Sequence, residues 1–436
     1  MGGQLITVLL WALAVFLILA LVYVFGRLIF DTVQLFRTRA ARDDSAVLWR
    51  DGGAIGIVAQ IGALIVIGAV LWFLWSNFRA RTDLIGLNLS FDFLDQPGNI
   101  SIADNPLSPG DTVAEAITQG FLNTIRVILV GIPIAMVLGT LVGISRFSSN
   151  WIVRKLATGY VEFIRNIPPL VVIVFFWSAV FLQFPRSQEA WRPLNSWFIF
   201  SNNRFAFPSL QGIRTSETAG VGNFTLFVII LVLALIAAVV VGIWRTNVFN
   251  NSGSPHRRVL WGFGTFVAIG VIAYFVLDMP ITTSKPDLDD RGRVFSGGIR
   301  MQMPYAALTF ALVIYTATHI SEIVRGSILA VHKGQDEAAN ALALSTVQRY
   351  RFVILPQAFR VAFPPLISQM LNFAKNSSLA LPIAFTETTA VINNLFGQSQ
   401  PAPQLLLVLA LLYLFISLVL SAIGNVINRR LQLVGR

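Results

Sequence analysis

Residues 332–360 read HKGQDEAANALALSTVQRYRFVILPQAFR, a polar, basic, alanine-rich island between two apolar spans. Ala338, Ala339, Ala341, Leu342, Ala343 and Leu344 favour helix, and Glu337 follows Gly334 and Gln335 near its start. Leu342, Val353 and Leu355 are its apolar members, and Pro356 is expected to interrupt the backbone. A compact amphipathic helix between membrane spans lies on the membrane surface or docks a partner. An ordinary solvated loop helix is the competing reading.

Away from this island the chain is apolar. Its 436 residues are 55% hydrophobic and only 12% charged, and the mean hydropathy is +0.71. A soluble domain is typically about 25% charged, so this is a polytopic membrane protein. Nine segments are long enough for a hydrocarbon core, which takes about 20 residues each. They run 5–30, 54–78, 119–145, 158–182, 223–244, 259–277, 305–328, 365–386 and 404–428. An all-α bundle of about nine transmembrane helices follows, because backbone groups in lipid must be paired within each segment. Leu5–Phe30 lacks a basic leader and a cleavage site, so it is expected to be retained as a span.

The net charge of +11 raises nucleic acid as a partner, but the basic residues sit beside apolar spans, where topology signals belong. Arg37, Arg146, Arg154, Arg257, Lys333, Arg349 and Arg429 lie on one side. That bias predicts an external N-terminus, with the 332–360 loop and the C-terminus in the cytoplasm. Residues 1–80 read as accessory spans and 81–116 as a polar, turn-rich external loop.

The spacing Glu337-Ala338-Ala339, Ala343, Val353-x-Leu355-Pro356 resembles the EAA loop of ABC-importer permeases, E-A-A-x3-G-x9-I-x-L-P. Gly334-Gln335 and Gln357-Ala358 narrow the resemblance to the polar-amino-acid uptake branch. Ala343 stands where that family usually has Gly, and Val353 where it has Ile. Arg165-Asn166-Ile167-Pro168 and Lys375-Asn376-Ser377-Ser378-Leu379-Ala380 are similar to the enlarged permeases of general L-amino-acid importers. The resemblance covers about 117–430 as a type I permease core, with 183–304 as an insertion carrying two extra spans and no soluble domain.

It implies a permease of the bacterial cytoplasmic (inner) membrane, paired with itself or with a related second permease. An extracytoplasmic binding protein would deliver the amino acid. A separate ATPase dimer, which binds ATP and Mg, would be reached through a 333–350 coupling helix. The coupling residues would be Gly334, Gln335, Glu337, Ala338, Ala339, Ala343, Leu355 and Pro356.

Charged groups inside a membrane mark function by default, since insertion scales put their cost at about 2.5–3.5 kcal/mol. Glu162-x-x-Arg165 and Glu322-x-x-Arg325 share one spacing, and residues three apart on a helix share a face, so each pair can neutralise itself. Snorkelling ion pairs at a helix end and an inner gate are both consistent with this. Asn372, Lys375 and Asn376 form a polar face in the eighth span, either a structural network or a wall of the substrate passage. His319, one turn before Glu322, is a candidate for the same passage or a packed structural residue. Pro364-Pro365 is expected to open the eighth span.

No G-x-x-x-x-G-K-[ST] occurs, so nucleotide binding through a P-loop in this chain is not expected. With no Cys and three scattered His residues, neither thiol chemistry nor a metal site is expected. The chain reads as a non-enzymatic permease, with an ion-coupled carrier and a membrane scaffold as the alternatives.

Overall fold

The computed structural model describes residues 52–84, 90–98, 111–212, 223–252, 258–277, 281–289, 294–398 and 400–431, with a few isolated positions besides. The expected span at 5–30 lies almost wholly outside these residues. Among those described, six helices are long and apolar enough to cross a membrane, or seven if one bent pair counts as a span. The chain divides into two compact units, one of 1–177 and 307–436, the other Ser178–Ala306.

The first unit begins with α1 (Gly52–Leu84), whose most apolar stretch has no buried residue. Helix α2 (Val113–Ser145) opens on a capping box: Thr112 accepts from the Glu115 amide, and the Glu115 carboxylate accepts from the Thr112 amide. The box satisfies two amide donors that a helix start otherwise leaves open. A short 3-10 turn at Asp92–Asp95 buries Phe93 and Leu94, and Gln96 accepts from the Val113 amide.

Helix α3 (Trp151–Arg165) starts at Asn150, whose side chain accepts from the amides of Ile152 and Val153. It does not continue into α4 (Pro169–Phe175). Pro168 removes an amide donor, and the helical segments on either side of the break are bent by 106°. The span expected at 158–182 is a broken pair, and the break falls where Pro168 and Pro169 are expected to interrupt its hydrogen bonding. A π turn (Phe176–Val180) follows α4.

Helix α7 (Met303–Leu329) packs on α2 through Gly139 and Gly143, a small-x3-small pair of the kind that lets helices approach in membranes. A Cβ on Gly139 would come within 2.6 Å of Ile320, and one on Gly143 within 3.0 Å of the Ser321 carbonyl. Beyond α7 lie α8 (Lys333–Ala341), α9 (Thr346–Arg349), a π turn (Tyr350–Ile354) and α10 (Leu355–Asn376).

Two expectations fail here. Pro356 does not interrupt the backbone, because it occupies the first turn of α10, where its missing amide costs nothing. Pro364 and Pro365 do not open a span, since α10 starts about ten residues earlier and carries them in its interior. A 3-10 segment (Ser377–Ile383), α11 (Thr388–Gly397) and α12 (Ala402–Leu431) complete the unit.

The second unit contains strands that the sequence reading does not anticipate. In chain order they are β1 (Ile199–Phe200), β2 (Arg204–Phe207), β3 (Ser209–Gly212), β4 (Ile281–Ser284), β5 (Asp287–Leu288), β6 (Phe295–Ser296) and β7 (Ile299–Gln302). They form antiparallel sheets β1-β2-β7, β3-β4 and β5-β6. Between β3 and β4 the chain makes a hairpin of two apolar helices, α5 (Asn223–Ser252) and α6 (Arg258–Val276). Ile199, Ala206, Leu288 and Phe295 form a small core, and Phe184 and Phe200 meet Phe205 edge-on at 5.0 and 5.1 Å. Strands of two to four residues lack a readable alternation, which hides them from a period-2 reading.

Candidate functional site

Close α2–α7 packing brings the end of α2 beside the last turns of α7, and three arginines converge there on one carboxylate. Arg146, the C-cap of α2, donates to Glu322 Oε1 at 2.8 Å. Arg325, one turn along α7, donates to Oε2 at 3.1 Å. Arg165, the last residue of α3, lies 3.6 Å from Oε1. Tyr160 holds α3 against α7 by donating to the Ile314 carbonyl at 2.6 Å.

The four groups carry a formal excess of two positive charges. Arg146 is 10% exposed and Arg165 49% exposed, so the cluster has an enclosed inner side and an open outer side. Charge-assisted bonds of this kind are about twice as strong as neutral ones. The expected Glu322–Arg325 pair is therefore present, but Glu162 and Arg165 do not neutralise each other. Glu162 faces outward, while Arg165 turns to Glu322. Three-residue spacing permits a pair; the stronger local anion decides which one forms. His319 lies one turn before Glu322 on α7 and packs edge-on against Tyr315 at 4.9 Å. Its Nε2 is buried without a hydrogen-bond partner.

The 332–360 loop is not one helix over 333–350. His332 caps α8 by accepting from the Gly334 amide at 3.1 Å, and α8 ends at Ala341. Ala343 takes φ 53°, which turns the chain before Ser345 and Gln348 cap α9 reciprocally. Arg349 then clamps the two short helices, 3.1 Å from Asp336 and donating to Asn340 at 2.7 Å. Gln357 donates to Gln335 at 3.2 Å. Ile354 and Ala358 bury against Ile328 at the end of α7.

Glu337 and Ala338 are left exposed, Ala339 is buried, and Leu355 and Pro356 are exposed on the opening turn of α10. The loop is thus a clamped double turn presenting Glu337 and Ala338 to solvent.

On α10, Asn372 and Lys375 are exposed on one face and Asn376 is half-buried. One acid escaped the sequence reading. Glu387, fully buried, caps α11 by accepting from the amides of Thr389 at 2.8 Å and Ala390 at 3.0 Å. Tyr413 of α12 donates to it at 3.0 Å, and Thr124 of α2 bonds Thr388 at 2.7 Å. Glu387 is the only Asp or Glu after Glu337, and that isolation was the available signal.

Comparison with known proteins places this geometry in context. A family model described as the binding-protein-dependent transport system inner membrane component matches residues 259–433. The general L-amino acid transport system permease protein AapQ of Rhizobium johnstonii is 34% identical over 382 residues, covering 87% of this chain and 93% of the relative. The putative amino-acid ABC transporter permease protein YhdX of Escherichia coli is 35% identical over 86% of this chain and 94% of its own length. The glutamate/glutamine/aspartate/asparagine transport system permease protein BztB of Rhodobacter capsulatus is 31% identical, covering 87% of this chain and 94% of the relative. Relatives aligned at this identity along nearly their whole length share ancestry with this chain, which belongs to the family of amino-acid ABC-transporter permeases.

Proposed function

We propose that this permease forms one side of an amino-acid passage and receives work through its 332–360 loop from a separate cytoplasmic ATPase dimer, where ATP and Mg bind. A second permease, a related chain or another copy, closes the passage. An extracytoplasmic binding protein delivers the amino acid. In this reading the loop and the C-terminus are cytoplasmic and the N-terminus is external, and 183–304 is an insertion in a core of 117–430.

The observation that carries the coupling role is the clamped loop itself. Asp336–Arg349 and the Ile328–Ile354–Ala358 cluster tie it rigidly to the ends of α7 and α10, so displacement of the exposed Glu337 edge is transmitted to both helices. The three-arginine cluster on Glu322 lies close along α7 from that loop and supports an inner gate that the same displacement opens. Membership of the ABC family sets the ion-coupled carrier aside.

The test is a mild-detergent pull-down with mass spectrometry of the partners. The native chain is expected to recover a P-loop ATPase. Glu337→Lys is expected to lose amino-acid uptake while remaining in the membrane. A stable complex without an ATPase, or normal uptake by the variant, would refute the coupling role.

A further inference from the structure

A pocket of about 470 Å³ lies between the 346–355 part of the loop and the ends of α2 and α7, away from the exposed Glu337 edge. Its walls come from the last turn of α2 (Ile144), the segment just beyond it (Phe147), the last turn of α7 (Ile328), α9 (Val347) and the first residue of α10 (Leu355). Arg351, raised on the π turn, is its charged member. Single π turns inside helices often mark functional sites.

The pocket's depth follows from its walls. Both α2 and α7 are long and apolar enough to cross a membrane, and the pocket opens at their loop-side ends, on the side where they leave the hydrocarbon. Thr346 and Tyr350 also line the pocket, but most of the wall is aliphatic and phenyl carbon, which offers few of the two to four polar partners that an ordered water needs. Arg351 is exposed with its guanidinium 5.5 Å from the centroid of the Phe352 ring, and among the described residues no carboxylate pairs with it. By contrast Arg349 has Asp336, and Arg146 and Arg325 have Glu322. An apolar slot edged by a cation that has no anionic partner is complementary to an amphiphile with an anionic head, and basic groups near a membrane surface attract anionic lipid.

We propose that the pocket binds an anionic phospholipid of the leaflet on the loop side, with an acyl chain between Ile144, Ile328 and Val347 and the phosphate on Arg351. The chain would wedge α9 and the π turn against the ends of α2 and α7. Lipid composition would then tune how firmly the loop follows those spans.

The test uses the full chain, purified in mild detergent with whatever ATPase accompanies it, and titrated with phosphatidylglycerol or phosphatidylcholine under native mass spectrometry. The native chain is expected to retain phosphatidylglycerol in preference to phosphatidylcholine. Arg351→Gln is expected to lose that preference, and Val347→Trp, which fills the slot from an exposed position, to lose the retained lipid altogether. Both variants leave the exposed Glu337 edge of the loop intact, so recovery of the ATPase is read beside lipid retention. Unchanged lipid retention in both variants would overturn the assignment. Loss of the ATPase in either would also overturn it, since the pocket would then belong to the protein interface.

Discussion

Ala343 illustrates how one residue's backbone decides what its side chain means. The family's Gly at this place suggests close helix approach, yet Ala343 is exposed and stands at φ 53°. The left-handed conformation costs an L-residue about 1–2 kcal/mol, whereas glycine adopts it freely. Glycine also makes the unfolded chain looser, by about 0.4–1 kcal/mol. Ala343→Gly should therefore stabilise the turn by a net of about 1 kcal/mol, read as several-fold slower amide exchange over 338–350. Faster exchange would show that the turn is not strained. Glu322 carries the opposite prediction. Glu322→Gln removes the anion that three arginines share, with Arg146 only 10% exposed. Hydrogen bonds to charged groups contribute about 1.5–3 kcal/mol each, so the variant should unfold well below the native chain in a detergent thermal scan. Arg325→Gln, which leaves Arg146 on the carboxylate, should shift the transition less.

Helices and their breaks differ in how legible they are. Hydropathy alone located the helices at 113–145, 303–329 and 402–431 to within several residues, because an apolar run of that length has few other solutions in a membrane. Breaks depend on which backbone donors find partners, which composition does not record. Pro168 breaks a helix as its place in an apolar run suggests, but Pro356 begins one and Pro364 and Pro365 sit inside the same one. Strands of the 178–306 unit pair across long stretches of chain, as β3 does with β4, and no local pattern announces that. The candidate site was half legible. Glu322 and Arg325 were found by spacing, whereas Arg146 and Glu387 owe their roles to contacts distant in sequence. Packing of α2 on α7 is the element on which the arginine cluster depends. Gly139→Val would drive a branched side chain into Ile320 and the Ala317 carbonyl, and overpacking of this kind costs about 1–3 kcal/mol. The variant should lower the thermal midpoint and the yield of folded protein. Gly159→Ala is the matched control: nothing lies within 4 Å of an added Cβ, and alanine is better than glycine in a helix by about 0.5–1 kcal/mol. Equal behaviour of the two variants would mean that α2 and α7 do not meet at Gly139.

At the scale of the whole molecule, the exposed polar groups say where the chain ends and its partner or its passage begins. A lysine facing lipid is unfavourable by about 2.5–3.5 kcal/mol at a helix centre on insertion scales, and by less toward the helix ends. Lys375 and Asn372 are exposed on α10, and Asn372, seventeen residues from Leu355, is about 25 Å along the helix, inside a hydrocarbon core about 30 Å thick. Leu129 on α2 is 68% exposed but apolar, as a lipid-facing residue should be. These two kinds of exposed surface must therefore have different surroundings in the membrane. The chain contains no Cys, so single cysteines report without background. Asn372→Cys in membranes holding the assembled importer should react with a small water-borne methanethiosulfonate, and Leu129→Cys should not. Adding the binding protein loaded with amino acid should change the rate at 372 alone, because only a passage-lining position senses transport. If Asn372→Cys stays inert alongside Leu129→Cys, the polar face of α10 is buried between helices as a structural network and the passage runs elsewhere. If both react alike, the reagent is entering lipid. A faster, substrate-sensitive reaction confined to 372 assigns this face of α10 to the path of the amino acid.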